Sequence, residues 1–248
     1  MKAFTFLLGI FLFISSSFAG TIDPDISDSK YIEYGKGFKH TVKISCFDGK
    51  GTSAGSAVII DPHWIITAAH VVEDCQTWKV TLDDKEYSIS KMILNPNYKT
   101  HIFGYDDIAL GYSEKELVMD HYPSLYESSD EVGKLSCMSG WGLTGNFNTG
   151  ANMSDHKRRA GSNFVDGVER KVLLCSPSRK HEKSTELEYL IASGDSGGGL
   201  FINGKLAGIH SSIIAKDGKP DGSYTDQSCH TRVSLYSKWI KETMEACK

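Results

Sequence analysis

From Thr41 onward the chain alternates short apolar runs with Gly, Asp, Asn and Pro. The runs "TVKISC", "GSAVII", "WIIT", "WKVTL", "DIALGY", "KLSCMSGWG", "RKVLLC", "GLFI" and "KLAGIHSSII" are rich in β-branched and aromatic residues. Such side chains pack well on a pleated, half-buried surface, so each run predicts a strand. Strands this short and closely spaced predict a sandwich or a barrel, an all-β class. Only "SLYSKWIKETMEACK" carries a clear helical period, with Leu235, Tyr236, Trp239, Ile240 and Met244 on one face and Lys and Glu opposite. "TAAHVVED" predicts a single helical turn. "HYPSLYESSDEVG" reads as the connection between two β subdomains, and "LTGNFNTGANMSDHKRRAGSNFVDG" as a long, exposed, mobile loop. Residues 20–40 are polar and weakly patterned and read as an extended lead-in.

The first nineteen residues have a different pattern. Lys2 precedes the apolar run "AFTFLLGIFLFI", and "SSSFAG" follows it. A basic start, a short apolar run and small residues at the exit predict a secretory signal peptide over 1–19, with Ser17 and Ala19 three and one positions before the cut. The run is short for a bilayer span, and no stop-transfer pattern follows. The mature chain is then expected to begin at Gly20 and to be secreted or periplasmic, with no membrane association after the cut.

Export changes how the six cysteines are read. Cys46, Cys75, Cys137, Cys175, Cys229 and Cys247 are an even set, which in an exported chain predicts disulfides, and none forms the C-x-x-C pair of a zinc site. At 40% hydrophobic and 23% charged the composition is globular, and a net charge of −4 gives no basic surface for nucleic acid.

The candidate chemistry centres on "ASGDSGGGL", from Ala192 to Leu200. Its "GDSGG" satisfies the G-x-S-x-G elbow of α/β-hydrolases, which needs a helix after the serine and its acid and histidine further downstream. Asp217, Asp221 or Asp226 and then His230 would serve. Yet "GLFINGKLAGIH" reads as a hairpin turning at Asn203-Gly204, not as a helix. The order His, Asp, Ser is also present: "WIITAAH" ends at His70 and "DDIAL" holds Asp107. A serine hydroxyl is a poor nucleophile without a base, histidine titrates near neutrality, and a carboxylate fixes the imidazole tautomer. Ser196 is therefore the candidate nucleophile, His70 the proton shuttle and Asp107 the orienting group. Asp106 is expected to face solvent, because strand neighbours point to opposite faces.

"TAAH", "DIAL", "SGWG" and "GDSGG", in that order, resemble the signatures of trypsin/chymotrypsin-type serine proteases, and "RVSLYSKWIKETM" resembles their closing strand and C-terminal helix. The resemblance runs from about Thr41 to Met244. It implies two packed six-stranded antiparallel β-barrels and a C-terminal α-helix, with the first barrel over about 41–125, the second with the helix over about 130–248, and the site in the cleft between them. It further implies a monomeric endopeptidase that acts on proteins or peptides through an acyl-enzyme and needs no cofactor or metal. Backbone N–H groups of Gly194 and Ser196 would form the oxyanion hole. A catalytically silent homologue that binds protein ligands is the alternative, although no triad member is missing.

The pattern departs from the family in several places. Digestive members begin, once activated, with an aliphatic residue whose ammonium pairs with the aspartate before the serine, here Asp195. No Arg-Ile-Val-Gly-Gly-like sequence is present, which argues against a switchable zymogen and leaves the partner of Asp195 open. Val71 and Ala192 stand where the family has cysteines; Cys46 and Cys75 bracket the histidine strand and turn and are the favoured pair. Leu190 falls at the base of the primary pocket and offers no charge to Arg or Lys. Ser211 matches the serine that binds substrate backbone, and Ile213 replaces a common glycine. Glutamyl endopeptidases carry histidine at the place of His210. Here His210, with Ser212 and Ser228, either binds an acidic side chain or is buried behind the triad as packing. Cleavage after Glu or Gln and cleavage after a mid-sized apolar residue both stay open. The carboxylates of "AKDGKPDGSYTD" read as a solvated turn and not as a calcium site.

Overall fold

Two strands that bend back on themselves close two sheets into barrels. The computed structural model describes residues 20–100, 106–153, 155–178 and 184–247, so the expected signal peptide lies outside the described residues. A two-residue strand β1 (Thr21–Ile22) and a helix α1 (Asp28–Gly35) come first. The first barrel follows: β2 (Thr41–Phe47), β3 (Thr52–Asp61), β4 (Trp64–Thr67), the short helix α2 (Ala69–Val72), β5 (Thr77–Leu82), β6 (Lys85–Ile89), β7 (Lys91–Leu94) and β8 (Ala109–Tyr112). The rest comprises β9 (Leu135–Gly140), β10 (Thr144–Asn146), β11 (Gly150–Met153), β12 (Arg159–Phe164), β13 (Gly167–Glu169), β14 (Val172–Cys175), β15 (Tyr189–Leu190), β16 (Gly199–Ile202), β17 (Lys205–Ala215) and β18 (Asp226–Arg232). A 3₁₀ turn at Val233–Leu235 then leads into the C-terminal helix α3 (Ser237–Ala246).

The first sheet runs β6-β5-β2-β3-β4-β8-β7. Its end members flank Ser90, whose amide donates to the Tyr112 carbonyl at 2.8 Å, so they are two halves of one bent strand. The second runs β12-β9-β16-β17-β18-β14-β13, and its end members flank Val165–Asp166, where the Asp166 amide donates to Leu174 at 2.8 Å. Each seven-segment sheet thus closes as six strands, the architecture expected from the sequence. One core cluster fills the first barrel around Ile44, Ile59 and Ile65. Another fills the second around Met138, Leu173 and Leu200. A third lies on the seam, where Val58, Ile66 and Leu110 of the first barrel meet Phe201, Leu206 and Ile209 of the second, with Val233, Tyr236 and Ile240 against them. The C-terminal amphipathic face is what the helix buries there.

Two expectations need correction. The lead-in is not extended: residues 28–35 form α1, its Tyr31 fully buried, and Gly35 packs on the backbone of Arg158 and Arg159. The segment read as a mobile loop contains β10, β11 and β12. Within it Arg159 is 1% exposed. Its guanidinium binds Asp28 at 2.5 and 2.7 Å and Asp155 at 2.9 and 2.7 Å, tying α1 to the second barrel. Cys46 and Cys75, the favoured pair, are near neighbours, and all six cysteines are free thiols.

Arg159 generates a test with opposite expectations for its two sides. Asp28→Ala with Asp155→Ala strands a buried cation, and the urea midpoint should report a loss of roughly 3–5 kcal/mol. Arg159→Met should cost clearly less, because both freed carboxylates reach water.

Candidate active site

His70 owes its position to a fully buried strand ending in a sharp turn. The strand β4 and the following Ala68 and Ala69 have almost no exposure. The α2 turn then swings His70 to the surface of the cleft, where its side chain is 37% exposed. Asp107 grips it twice: the His70 amide donates to Oδ1 at 3.0 Å, and Nδ1 bonds Oδ2 at 2.8 Å. The Ser211 hydroxyl donates to the same Oδ2 at 2.5 Å, and the Thr231 hydroxyl to the Asp107 carbonyl at 2.9 Å. The register of β17 against β18 shifts between His210 and Ser212, leaving Ser211 as the extra residue of a bulge that aims its hydroxyl at the carboxylate.

These contacts set both charges. Burial pushes the Asp107 carboxyl up, but the His70 ring, the Ser211 hydroxyl and the His70 amide outweigh it and hold it below the usual carboxylate range. Burial likewise pushes His70 down, and the hydrogen bond and charge of Asp107 more than reverse it, so its pKa is raised. Asp107 therefore stays ionised and holds Nδ1 as the donor, which leaves Nε2 as the free basic nitrogen.

Ser196 sits on the facing barrel, in the turn before β16. Its carbonyl accepts the Ser56 amide at 2.8 Å, and the next amide, of Gly197, donates to the His210 carbonyl at 2.8 Å. Gly197 has φ +86, and a Cβ there would collide with Ser56 and Thr67, so only glycine fits. Gly55 lies between the two halves: a Cβ on it would lie 2.9 Å from Val71 and 3.1 Å from the Ser196 carbonyl. Val71, the residue after His70, and Ser196 thus meet across Gly55. The Ser196 and His70 side chains form no hydrogen bond with each other among the described residues. The Ser193 carbonyl accepts the Leu143 amide at 2.7 Å and the Asp195 carbonyl accepts Gly198 at 2.8 Å. A trans peptide points its N–H opposite its carbonyl, so the Gly194 and Ser196 N–H groups face away from these acceptors. Neither N–H has an acceptor among the described residues.

Other sequence-predicted positions fall out differently. Asp106 is buried, against the expectation of a solvent-facing side chain: its φ of +52 breaks the strand alternation just before β8, and both its oxygens accept from Lys171 Nζ at 2.8 Å. Leu190 is buried in β15 and pairs with Thr21. The Ile191 amide donates to the Ser228 hydroxyl at 3.0 Å, and Ile213 lies opposite Ser228. Ser212, opposite Cys229, has a buried hydroxyl. His210 is fully buried, its Nδ1 2.8 Å from Nδ1 of the equally buried His230. Burial drives His210 down to about 3 and His230 well below its ordinary value, so both rings are held neutral. The elbow alternative fails on the same residues: strand β16 follows Ser196, and His230 is occupied by His210. Among the described residues no group of three or more His, Cys, Asp or Glu side chains is arranged to hold a metal ion.

Sequence reasoning missed the partner of Asp195. This fully buried carboxylate accepts the Gly20 amide at 2.8 Å, the Ala192 amide at 2.8 Å and the Gly142 amide at 2.7 Å, with the Tyr189 hydroxyl at 3.3 Å. The only signal was the expected cut just before Gly20.

Two β-barrels meeting at a seam that carries serine, histidine and aspartate define a chymotrypsin-like fold. The family model described as Trypsin matches residues 33–240, and the chain belongs to that family. Kallikrein-1E2 of Equus caballus is 27% identical over 216 residues, covering 76% of this chain and 79% of the relative. The CLIP domain-containing serine protease C9 of Anopheles gambiae is 30% identical over 227 residues, covering 78% and 60%. Among solved structures, mouse neuropsin, a serine protease, superposes with TM-score 0.65 at 21% identity over 82% of this chain and 93% of its own. HL collagenase superposes with TM-score 0.67 at 18% identity over 94% and 98%.

The His70–Asp107 pair sets a titration test. NMR titration should place the His70 pKa above the ordinary histidine value, and Asp107→Asn should bring it down. Because the folded pKa is raised, the pair stabilises the fold below the ordinary histidine value, and that contribution fades as pH rises through the folded pKa.

Proposed function

We propose that this chain is a secreted, monomeric serine endopeptidase with His70, Asp107 and Ser196 as its triad. The observation that carries the reading is the double grip of Asp107 on His70, reinforced by Ser211 from the other barrel. His70 Nε2 takes the Ser196 proton as Oγ attacks the scissile carbonyl. The Gly194 and Ser196 N–H groups receive the oxyanion, and loss of one such donor typically costs about 3–4 kcal/mol. His70 returns the proton to the leaving amine, and water then hydrolyses the acyl-enzyme by the same route reversed. No step calls for a cofactor or metal.

The primary pocket, with Leu190 at its base and Ile213 on its wall, has no countercharge for Arg or Lys. His210 is buried and offers no positive charge, so Gln or a mid-sized apolar residue suits the lining better than Glu. No helix among the described residues is long and apolar enough to cross a membrane. In an oxidising compartment Cys46 and Cys75 are the pair placed to bridge.

A silent, ligand-binding homologue draws on one observation, the missing hydrogen bond between Ser196 and His70. Catalytic hydrogen bonds often tighten only once substrate is bound, so that observation carries less than the built Asp107 site.

A fluorophosphonate should label the protein at Ser196, and Ser196→Ala or His70→Ala should abolish labelling. A peptide library should show cleavage after basic residues at least about 100-fold below the preferred class. A folded protein that never labels is a binding module; dominant cleavage after Arg or Lys overturns the pocket assignment.

A further inference from the structure

Two carboxylates stand side by side at the seam. Asp107 serves His70, whereas Asp106 takes no part in the proton transfer. Yet Asp106 is the more deeply buried of the two, with 3% of its surface exposed. Its backbone is in the left-handed region, φ +52, which a residue with a side chain holds only where its surroundings fix it. The Ile108 amide donates to the Asp106 carbonyl at 2.8 Å and closes a three-residue turn centred on Asp107. The direction of the Asp107 side chain therefore depends on the backbone at Asp106.

What fixes Asp106 comes from the other barrel. Lys171 lies at the tip of the β13–β14 hairpin, where Glu169 pairs with Val172 and Arg170 turns the chain with φ +54. Its Nζ donates to both Asp106 oxygens at 2.8 Å. The adjoining Val172 pairs with Thr231 of β18, and the Thr231 hydroxyl donates to the Asp107 carbonyl at 2.9 Å. The Arg232 amide donates to the Lys171 carbonyl at 2.9 Å, which seats the hairpin tip against the end of β18. One pair of strands thus holds both residues of the turn, Asp106 through a charge and Asp107 through a hydroxyl. The charge is the part that electrostatics requires. Anions at successive positions repel each other where water is scarce, and Asp107 meets a cation only while His70 carries a second proton.

We propose that Lys171 is a positioning residue of the triad: through its two bonds to Asp106 it holds the left-handed turn that aims Asp107 at His70. The inference rests on the serine protease reading. Lys171 acts through Asp106 and not on the reacting atoms. Without it, Asp106 is a buried anion stripped of its countercharge, and its way to water is to relax the backbone at 106. That relaxation carries Asp107 with it. Oδ2 of Asp107, which receives both His70 Nδ1 and the Ser211 hydroxyl, then leaves the point where those two groups converge.

The test uses protein produced from the full chain and two readouts: the rate of fluorophosphonate labelling, and the low-field proton resonance of His70 Nδ1–H. Both are read at a temperature where circular dichroism shows the native fold. Lys171→Met should slow labelling at least about 10-fold, since a misplacement of about 1 Å at a catalytic group can cost about 100-fold. The same substitution should shift or broaden the resonance, which a loss of stability alone would not do in folded protein. Asp106→Asn removes the anion and keeps a side chain that tolerates a left-handed backbone. Adding Lys171→Met to Asp106→Asn should therefore slow labelling by no more than about twofold, because the two residues act as one unit. Lys79→Met, which breaks an exposed ion pair with Glu86, should move neither readout. A wild-type rate or an unmoved resonance in Lys171→Met would overturn the proposal and leave the protease reading intact. So would a Lys171→Met penalty that persists undiminished beside Asp106→Asn. If Lys171→Met does not fold alone, the comparison within the Asp106→Asn background decides by the same criterion. If the wild type never labels, the protease reading falls and the resonance decides: moved by Lys171→Met, it supports the positioning role, and unmoved, it sinks it.

Discussion

The carboxylate of Asp107 is bonded from both barrels at once. His70 reaches it from the first, through ring and amide, while Ser211 reaches the carboxylate and Thr231 the carbonyl from the second. A buried charge tolerates no such partner being lost, so the relative position of the barrels is fixed by what this one group requires. That requirement explains the bulge at Ser211, the turn at Ala69–Val72 and the break in strand geometry at Asp106. Each is a local departure from regular pairing that delivers a donor or an acceptor to one point.

Close approach of the barrels needs backbone without side chains. Gly55 and Gly197 each stand where a Cβ would strike the other side: Gly55 against the Ser196 carbonyl, Gly197 against Ser56 and Thr67. The "SGWG" stretch performs the same function from the second barrel. Its Trp141 indole donates across the seam to the Thr41 carbonyl at 3.0 Å, and the Trp141 amide to the Ser56 hydroxyl at 3.0 Å. The motifs that looked like catalytic signatures are thus in large part packing signatures of a seam narrow enough to place a nucleophile beside a base.

Much of this was legible in the sequence because it depends on local chemistry. The strands at Trp64–Thr67 and Gly199–Ile202 follow from continuous apolar runs, and the hairpin at Asn203-Gly204 from turn preference. What was not legible depends on partners far along the chain. The burial of Arg159 in β12 depends on Asp28, 131 residues away, as well as on Asp155. Residues 28–35 carry too weak a period to announce a helix, yet Tyr31 is buried by β12. Strand alternation placed Asp106 in solvent, whereas a left-handed backbone and Lys171 bury it. His210 was open between ligand and packing roles. Its complete burial decides that it is neutral.

Asp107 and Asp195 flank one site and are shifted in opposite directions, which separates their roles. Both are desolvated, the effect that alone raises a carboxyl pKa. At Asp107 a titratable ring and its charge overturn that effect, so the group remains an anion under all conditions in which histidine can shuttle a proton. At Asp195 neutral amides are insufficient, since dipoles offset only part of a full charge's desolvation. A buried carboxyl in that condition is either protonated, and then a weaker acceptor for the amides that fix the loop, or it acquires a cation. The fold brings the Gly20 N–H to it at 2.8 Å. Position 20 is glycine because Tyr189 leaves no room for anything larger, and Tyr189 is in place because its own hydroxyl also serves Asp195.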